Sequence, residues 1–246
     1  MSLPVHLVPS LDGVEVGSSV EVTGDEAHHA VAVRRLRVGE PVVLTDGNGR
    51  SVTGAVASTG KRVFALEVAE VADVPRPEPE LVVVQALPKG DRGELAVEML
   101  TEVGASRIVP WAASRSVAVW KGERAAKSLA RWRATAREAA KQARRSWFPE
   151  VDELASTADV EALLADAALG VVLHEDASVS MASLPVPLEG PIVVVVGPEG
   201  GLSEVEVASF VAAGAASVRL GSEVLRTSTA GVAAAAALLS RTPRWS

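Results

Sequence analysis

Two short strings near the C-terminal end carry residue types able to hold a ligand: Gly197-Pro198-Glu199-Gly200-Gly201 and the stretch LGSEVLRTSTA from Leu220 to Ala230. The first follows an apolar run, Val193 to Val196, and leads into Ser203 and Glu206, the S-x-x-E spacing of a helix capping box. It therefore reads as a loop at the carboxyl end of a buried strand, where open α/β sheets place their ligands. Glycine adopts positive φ and permits close approach, so the peptide groups of Gly197, Gly200 and Gly201 can meet the polar edges of a bound molecule. The second string repeats the geometry. A strand over Ser217 to Leu220 is followed by Gly221, Ser222 and Glu223, with Arg226 just ahead of a helix expected near Ser228. One such turn is weak evidence, because ordinary tight turns use the same residues; two specific strings are stronger. Neither is the G-x-G-x-x-G dinucleotide fingerprint, and G-K-[ST] is absent, so NAD and ATP are not the expected ligands.

A third feature is electrostatic. Over Glu123 to Arg145 a helix is expected, with Ala125, Leu129, Trp132, Ala136, Ala139 and Ala143 on an apolar face. Arg133, Arg137, Lys141 and Arg145 recur every four residues along another side. At about 1.5 Å per residue they would form a positive stripe roughly 18 Å long, matching several phosphates of an RNA strand. A solvated helix face is the plainer reading, but only Glu138 interrupts the cations from Arg131 to Arg145, so an anionic partner is expected.

The whole chain carries a net charge of −7, which at first argues against nucleic acid. The charge is unevenly spread: residues 1–86 carry 7 basic and 12 acidic side chains, 87–149 carry 13 and 6, and 150–246 carry 4 and 13. A local basic surface on an acidic protein can still bind phosphates, because screening makes nearby charges decisive. There is no cysteine, so thiolate catalysis and Cys-ligated metal sites are excluded. No metal is expected, since the four histidines lie in no cluster at ligand spacing, and His28 and His29 read as packing and solvent residues. The apolar runs are too short to span a bilayer and no signal segment is evident, so a soluble cytoplasmic protein without membrane contact is expected.

These features sit in an α/β chain of 246 residues, long enough for two modest domains. Residues 1–73 read as short alternating strands, including Pro41 to Thr45, Ser51 to Ala57 and Arg62 to Val68, punctuated by the turn Asp46-Gly47-Asn48-Gly49, and suggest a small β-barrel. Residues 74–80 hold three prolines and form an extended linker. Residues 81–246 alternate apolar runs such as Leu81 to Ala86, Gly170 to Leu173 and Pro191 to Val196 with helical stretches, the order of a parallel α/β sheet. Within them, Asp91 and Glu94 suggest a capping box opening a helix with Leu95, Met99 and Val103 on its apolar side and Gly104 as its C-terminal cap.

Taken together, HHAVAVRRLRVGE (28–40), QALPKGDRGELAVEMLTEVGASRIVPW (85–111), SRS (114–116), EAAKQARR (138–145), GPEGGLSEVE (197–206) and LGSEVLRTSTA (220–230) make the chain resemble the RsmE-type 16S ribosomal RNA uridine-N3 methyltransferases of the SPOUT superfamily, over nearly its whole length. The resemblance implies a PUA-like N-terminal barrel that binds RNA, a SPOUT-type C-terminal domain with a trefoil knot around its parallel sheet, and a homodimer whose interface completes the site. It implies S-adenosylmethionine as cofactor, held between three strand ends: Leu173-His174, Val196 to Gly201, and Leu220 to Leu225. The partner is then 16S rRNA or the small ribosomal subunit. That family usually carries glutamate where Ser228 stands here, and a basic-aromatic start where this chain has Pro4-Val5-His6-Leu7.

Methyl transfer from a sulfonium needs no metal; the protein supplies alignment and electrostatics. Uridine N3 carries a proton at neutral pH, so a cation beside it would stabilise the developing negative charge, and Arg226 is the candidate. Glu199 is a candidate base, or it holds the cofactor's amino group or the loop, with solvent taking the proton. N3 lies on the pairing edge, so the target must be unpaired or splayed out. Expected RNA contacts are Arg34, Arg35 and Arg37 in the first domain, Lys89, Arg92 and Arg115 on loops of the second, and Arg137, Lys141, Gln142 and Arg145 along the basic helix. Two alternatives stay open at this point: a non-catalytic RNA-binding assembly factor, and a SPOUT enzyme acting on another RNA.

Overall fold

The computed structural model describes residues 3–245. The chain divides into two compact units, Met1–Arg76 with Lys141–Phe148, and Pro77–Ala140 with Pro149–Ser246.

The first unit contains β1 (Val5–Leu7), β2 (Ser19–Thr23), a short α1 (Gly24–His28) continued by a π-helical turn at His29–Val33, β3 (Pro41–Thr45), β4 (Arg50–Thr59) and β5 (Val63–Asp73). They form one sheet in the order β1-β3-β4-β5-β2, in which β1 runs parallel to β3 and the other pairs are antiparallel. Alternation sends Val42, Leu44, Val52, Val56, Phe64 and Leu66 into the core. The β4–β5 register shifts at Thr53/Gly54, where a Cβ on Gly54 would stand 1.9 Å from the Glu67 carbonyl oxygen, so only glycine fits.

Residues 141–148 join this unit although sequence order assigns them to the second domain. The expected helix stops at Gln142, because Arg144 takes a left-handed φ of 53° and turns the chain. Gly49 N–H then donates to the Ser146 carbonyl (2.9 Å) and Phe148 N–H to that of Gly47 (2.8 Å). The Trp147 indole N–H donates to the Val74 carbonyl at 2.8 Å. The turn Asp46 to Gly49 is thus stapled to this segment, which periodicity cannot reveal.

The second unit contains β6 (Glu80–Ala86), α2 (Arg92–Val103), β7 (Arg107–Trp111), α3 (Glu123–Gln142, of which Lys141 and Gln142 belong to the first unit), β8 (Glu150–Val151), α4 (Thr157–Ala165), β9 (Leu169–Leu173), β10 (Val179–Ser180), β11 (Pro191–Val196), α5 (Glu204–Ala212), β12 (Ala216–Arg219) and α6 (Thr227–Leu239). The sheet order is β10-β12-β9-β11-β6-β7-β8, and every neighbouring pair is parallel. A parallel sheet is covered on both faces, which explains why its strands are uninterrupted apolar runs. Leu81 and Val83 of β6 pack in one cluster with Leu100, Leu129, Trp132 and Leu238. Val82 and Val84 pack in the other with Trp111, Val160, Leu164 and Phe210.

Two expectations for α2 are corrected. Asp91 is its N-cap residue, but ψ is 6° rather than extended and its side chain makes no capping bond; Glu94 pairs instead with Arg131 at 3.3 Å. The buried face is Gly93, Ala96, Val97, Leu100 and Thr101, whereas Leu95 is 46% exposed. The close approach of α3 decides this: a Cβ on Gly93 would stand 2.8 Å from the Trp132 indole nitrogen, so glycine faces inward and the larger residues flank it. Gly104 closes α2 in the left-handed conformation (φ 108°), as expected.

Candidate functional site

Because the sheet is parallel, all its loops leave the carboxyl ends of strands on one edge. The three stretches singled out by resemblance follow β9, β11 and β12, which are consecutive neighbours in the order β12-β9-β11. Leu173-His174, Val196 to Gly201 and Leu220 to Leu225 therefore converge, and the loops after β6 and β7 flank them on the β11 side.

The loop after β11 is tied on every side. Glu199 is exposed, and its carboxylate accepts the Lys89 backbone N–H at 3.1 Å, fastening it to the loop after β6. The Arg115 guanidinium donates to the Leu202 carbonyl (3.2 Å) and, at the limit, to that of Gly200 (3.5 Å). A Cβ on Gly200 would stand 3.0 Å from the Arg115 carbonyl oxygen, so glycine lets the two segments pack closely here.

Glu206 completes the clamp. The predicted capping box forms, with Glu206 accepting from Ser203 N–H (2.8 Å) and the Ser203 hydroxyl (2.7 Å), and its other oxygen accepts the Ser114 N–H at 2.8 Å. At 4% exposure it is a buried carboxylate that joins α5 to the SRS segment. Burial pushes its pKa up, but the donors at Ser114 and Ser203 outweigh this and hold it below the ordinary 4.5. S-x-x-E spacing predicts the cap; the second attachment, to Ser114, carried no sequence signal.

Beneath the loops lies a buried polar chain. The Thr227 hydroxyl donates to the Gly197 carbonyl (2.7 Å) and accepts from the Gln85 amide Nε2 (3.1 Å), which also donates to the Ala86 carbonyl (3.1 Å). Gln85 is fully buried and Thr227 is 6% exposed. Sequence reasoning passed over both residues.

The loop after β12 behaves oppositely. Residues 221–226 are all exposed, and among the described residues none of their backbone N–H groups is bonded within the chain. Gly221, Ser222 and Leu225 therefore present free donors, while Leu220 and His174 are half-buried. Arg226 is the N-cap residue of α6, in extended conformation, and its guanidinium has no ion pair among the described residues. A cation at the positive end of a 13-residue helix is locally unfavourable, and the two together make a positive field.

The expected RNA-contact residues fall into two sets. Exposed and without ion pairs among the described residues are Arg34, Arg35 and Arg37, around buried Leu36, with Arg35 at a left-handed φ of 59°; Lys89 and Arg137 are also exposed, and Arg92 is half-buried. Others are engaged within the chain. Lys141 pairs with Glu26 at 3.0 Å and is 11% exposed, and the Arg145 guanidinium donates to the Trp147 carbonyl at 2.8 Å from outside the helix, so the four-residue stripe ends at Lys141. Arg133 donates to the Val151 carbonyl and to Glu153, both at 3.0 Å. The anionic partners expected for the stripe are thus partly acids of the chain itself. Gln142 is exposed, and Arg115 spends its guanidinium on the clamp.

Trp111 and Trp132 are core residues, Trp132 meeting Trp120 edge-on at 5.0 Å. A cavity of about 900 Å³ lies away from the converging loops, between α3, β8 and α4, lined by Arg107, Arg133 and Arg137 with Asp152, Glu153 and Asp166. Its charges are largely neutralised: Arg107 forms a bidentate pair with Asp152 at 2.9–3.0 Å through Nε. Among the described residues no group of three His, Asp or Glu could hold a metal, and no helix is long and apolar enough to cross a membrane.

Comparison with known proteins matches the chain to two families. Residues 75–239 match a family described as RNA methyltransferase domain, and residues 22–68 match one described as RNA methyltransferase PUA domain. The chain is 44% identical over 236 residues to ribosomal RNA small subunit methyltransferase E of Mycobacterium bovis, covering 94% of this chain and 90% of that protein. It is 31% identical to the protein of that name from Bacillus subtilis, covering 92% and 91%. In structure it is similar to ribosomal RNA small subunit methyltransferase E from Neisseria gonorrhoeae bound to S-adenosylmethionine, with a TM-score of 0.86, 27% identity and 98% of each chain covered. The expectation of a parallel α/β methyltransferase domain preceded by a PUA-like unit holds, and the chain belongs to the ribosomal RNA small subunit methyltransferase E family.

Proposed function

We propose that the protein uses S-adenosylmethionine to methylate N3 of a uridine in 16S rRNA of the small ribosomal subunit. The observation that carries this is the convergence of three loops from adjacent parallel strands, one of them presenting amides and an arginine at a helix N-terminus that have no partner among the described residues. The site fits the cofactor: Gly221 to Leu225 offer backbone donors to polar edges, and half-buried Leu173 and Leu220 offer apolar surface. When bound, S-adenosylmethionine supplies an activated methyl group.

The chain's own residues then have separable tasks. Arg226 faces the charge that develops on the uracil ring as N3 gains a methyl and loses its proton; its guanidinium and the α6 terminus stabilise that charge together. Glu199 holds the loop of Lys89 through the backbone bond, so the proton passes to solvent. Lys89, Arg92 and Arg137 approach phosphates from the catalytic unit, and Arg34, Arg35 and Arg37 from the PUA-like unit. The knot, the homodimer and a cytoplasmic location belong to this reading by family likeness.

The test is Arg226→Ala given S-adenosylmethionine and small-subunit RNA. Loss of one charge-stabilising donor costs about 100-fold in rate. N3-methyluridine formation should fall by that factor with S-adenosylmethionine affinity nearly unchanged; full product formation contradicts the assignment.

A further inference from the structure

The chain Gln85–Thr227–Gly197 is buried beside a core cluster of apolar side chains. An amide there is expensive unless its groups are bonded, and Gln85 keeps the cost in part, because its Oε1 has no hydrogen-bond partner. A leucine or methionine would avoid that cost. The amide's value therefore lies in what its nitrogen holds.

The direction of the chain is fixed by chemistry. The Gly197 and Ala86 carbonyls only accept, so the Thr227 hydrogen points at Gly197 and the threonine oxygen is left to accept from Gln85. Both neighbours of the amide are thus acceptors, which orients Nε2 toward them. Three segments far apart in sequence meet at one hydroxyl: the end of β6, the first residue of the 197–201 loop and the first residue of α6, next to Arg226. Among the described residues the loop after β12 has no backbone N–H bonded within the chain, so its spacing from the glycine loop is set where Thr227 is anchored.

We propose that Gln85 and Thr227 are positioning residues that set the separation of the two loops, and with it the affinity for S-adenosylmethionine; this rests on the proposed function above. Satisfied polar networks inside cores specify one geometry where apolar packing tolerates several. The Thr227 hydroxyl is the element on which binding, beyond folding, depends.

The experiment compares wild type, Thr227→Ser, Thr227→Val and Gln85→Leu by calorimetric titration with S-adenosylmethionine, with melting temperature measured in its absence. Thr227→Val keeps the shape and removes the hydroxyl, and its Kd should rise tenfold or more. Thr227→Ser keeps the hydroxyl and should stay within twofold of wild type. Gln85→Leu retains the Thr227–Gly197 bond and should raise Kd about threefold, carrying the test if Thr227→Val fails to fold. Leu164→Ala in α4, a core truncation away from the relay, controls for lost stability and should bind as wild type does. Thr227→Val binding within twofold of wild type overturns the proposal, as does Thr227→Ser losing as much as Thr227→Val, an unchanged Kd in Gln85→Leu, or weakened binding by Leu164→Ala. Wild-type protein that binds no S-adenosylmethionine overturns the functional reading itself.

Discussion

Two loops leave the same edge of the same sheet and are built on opposite plans. The loop after β11 is held by Glu199 on Lys89, Arg115 on Leu202, Glu206 on Ser114 and Thr227 on Gly197. The loop after β12 is exposed over residues 221–226 and has no backbone N–H bonded within the chain among the described residues. The carboxylate of the first loop is engaged within the chain, whereas Glu223 and Arg226 of the second have no ion pair among the described residues. Glu206 and Arg226 are the extreme cases, one buried with three donors and the other exposed at a helix N-terminus without an ion pair among the described residues.

The sharpest way to break the comparison is to exchange the kinds of damage. Arg226→Ala should lower the transfer rate about 100-fold while leaving the melting temperature within about a degree, since exposed surface changes rarely exceed ~0.5 kcal/mol; calorimetry and a rate assay on one preparation read both. Glu206→Ala should do the reverse. It strips the Ser114 and Ser203 donors of their buried acceptor and should cost about 2 kcal/mol of stability, a fall of roughly 4–8 °C in a unit of this size.

The pH dependence follows from the same carboxylate. The folded pKa of Glu206 lies below its ordinary value of 4.5, so its contribution is complete above that pH and is lost as pH falls through the folded value. Glu26 in the first unit obeys the same sign. Burial pushes it up, but hydrogen bonds from His6 (3.0 Å) and Lys141 (3.0 Å) and the lysine's charge hold it at about 2, so its contribution fades between about pH 4.5 and 2. Acid titration of unfolding in Glu26→Gln should show less loss over that window than wild type. The smallest effect is expected for Glu223→Gln in the open loop, with stability unchanged within about 0.5 kcal/mol.

Much of this was legible in the sequence where a local rule acts alone. β3 and β11 match the expected Pro41 to Thr45 and Pro191 to Val196, because alternation and an unbroken apolar run are local signals. Ser203 caps α5 as its spacing requires. Asp91 does not cap α2, because its backbone is not extended and Arg131 draws Glu94 away. The inward face of α2 was misread because Trp132, from another helix, selects glycine at position 93. A distant partner, Glu26, likewise decided Lys141, whereas the turn at Arg144 took Arg145 out of the helix. Gln85 and Thr227 were invisible, since a polar residue in an apolar strand gives no sign of a partner 142 positions away.

The converging loops are proposed to deliver a methyl group to uridine N3. Purified protein incubated with S-adenosylmethionine and small subunits lacking the modification, followed by mass spectrometry of the rRNA nucleosides, tests it directly. N3-methyluridine is expected at close to one per subunit with wild-type protein, and far less with Arg226→Ala in the same time. A methyl group on another atom, or no methylated nucleoside at all, contradicts it.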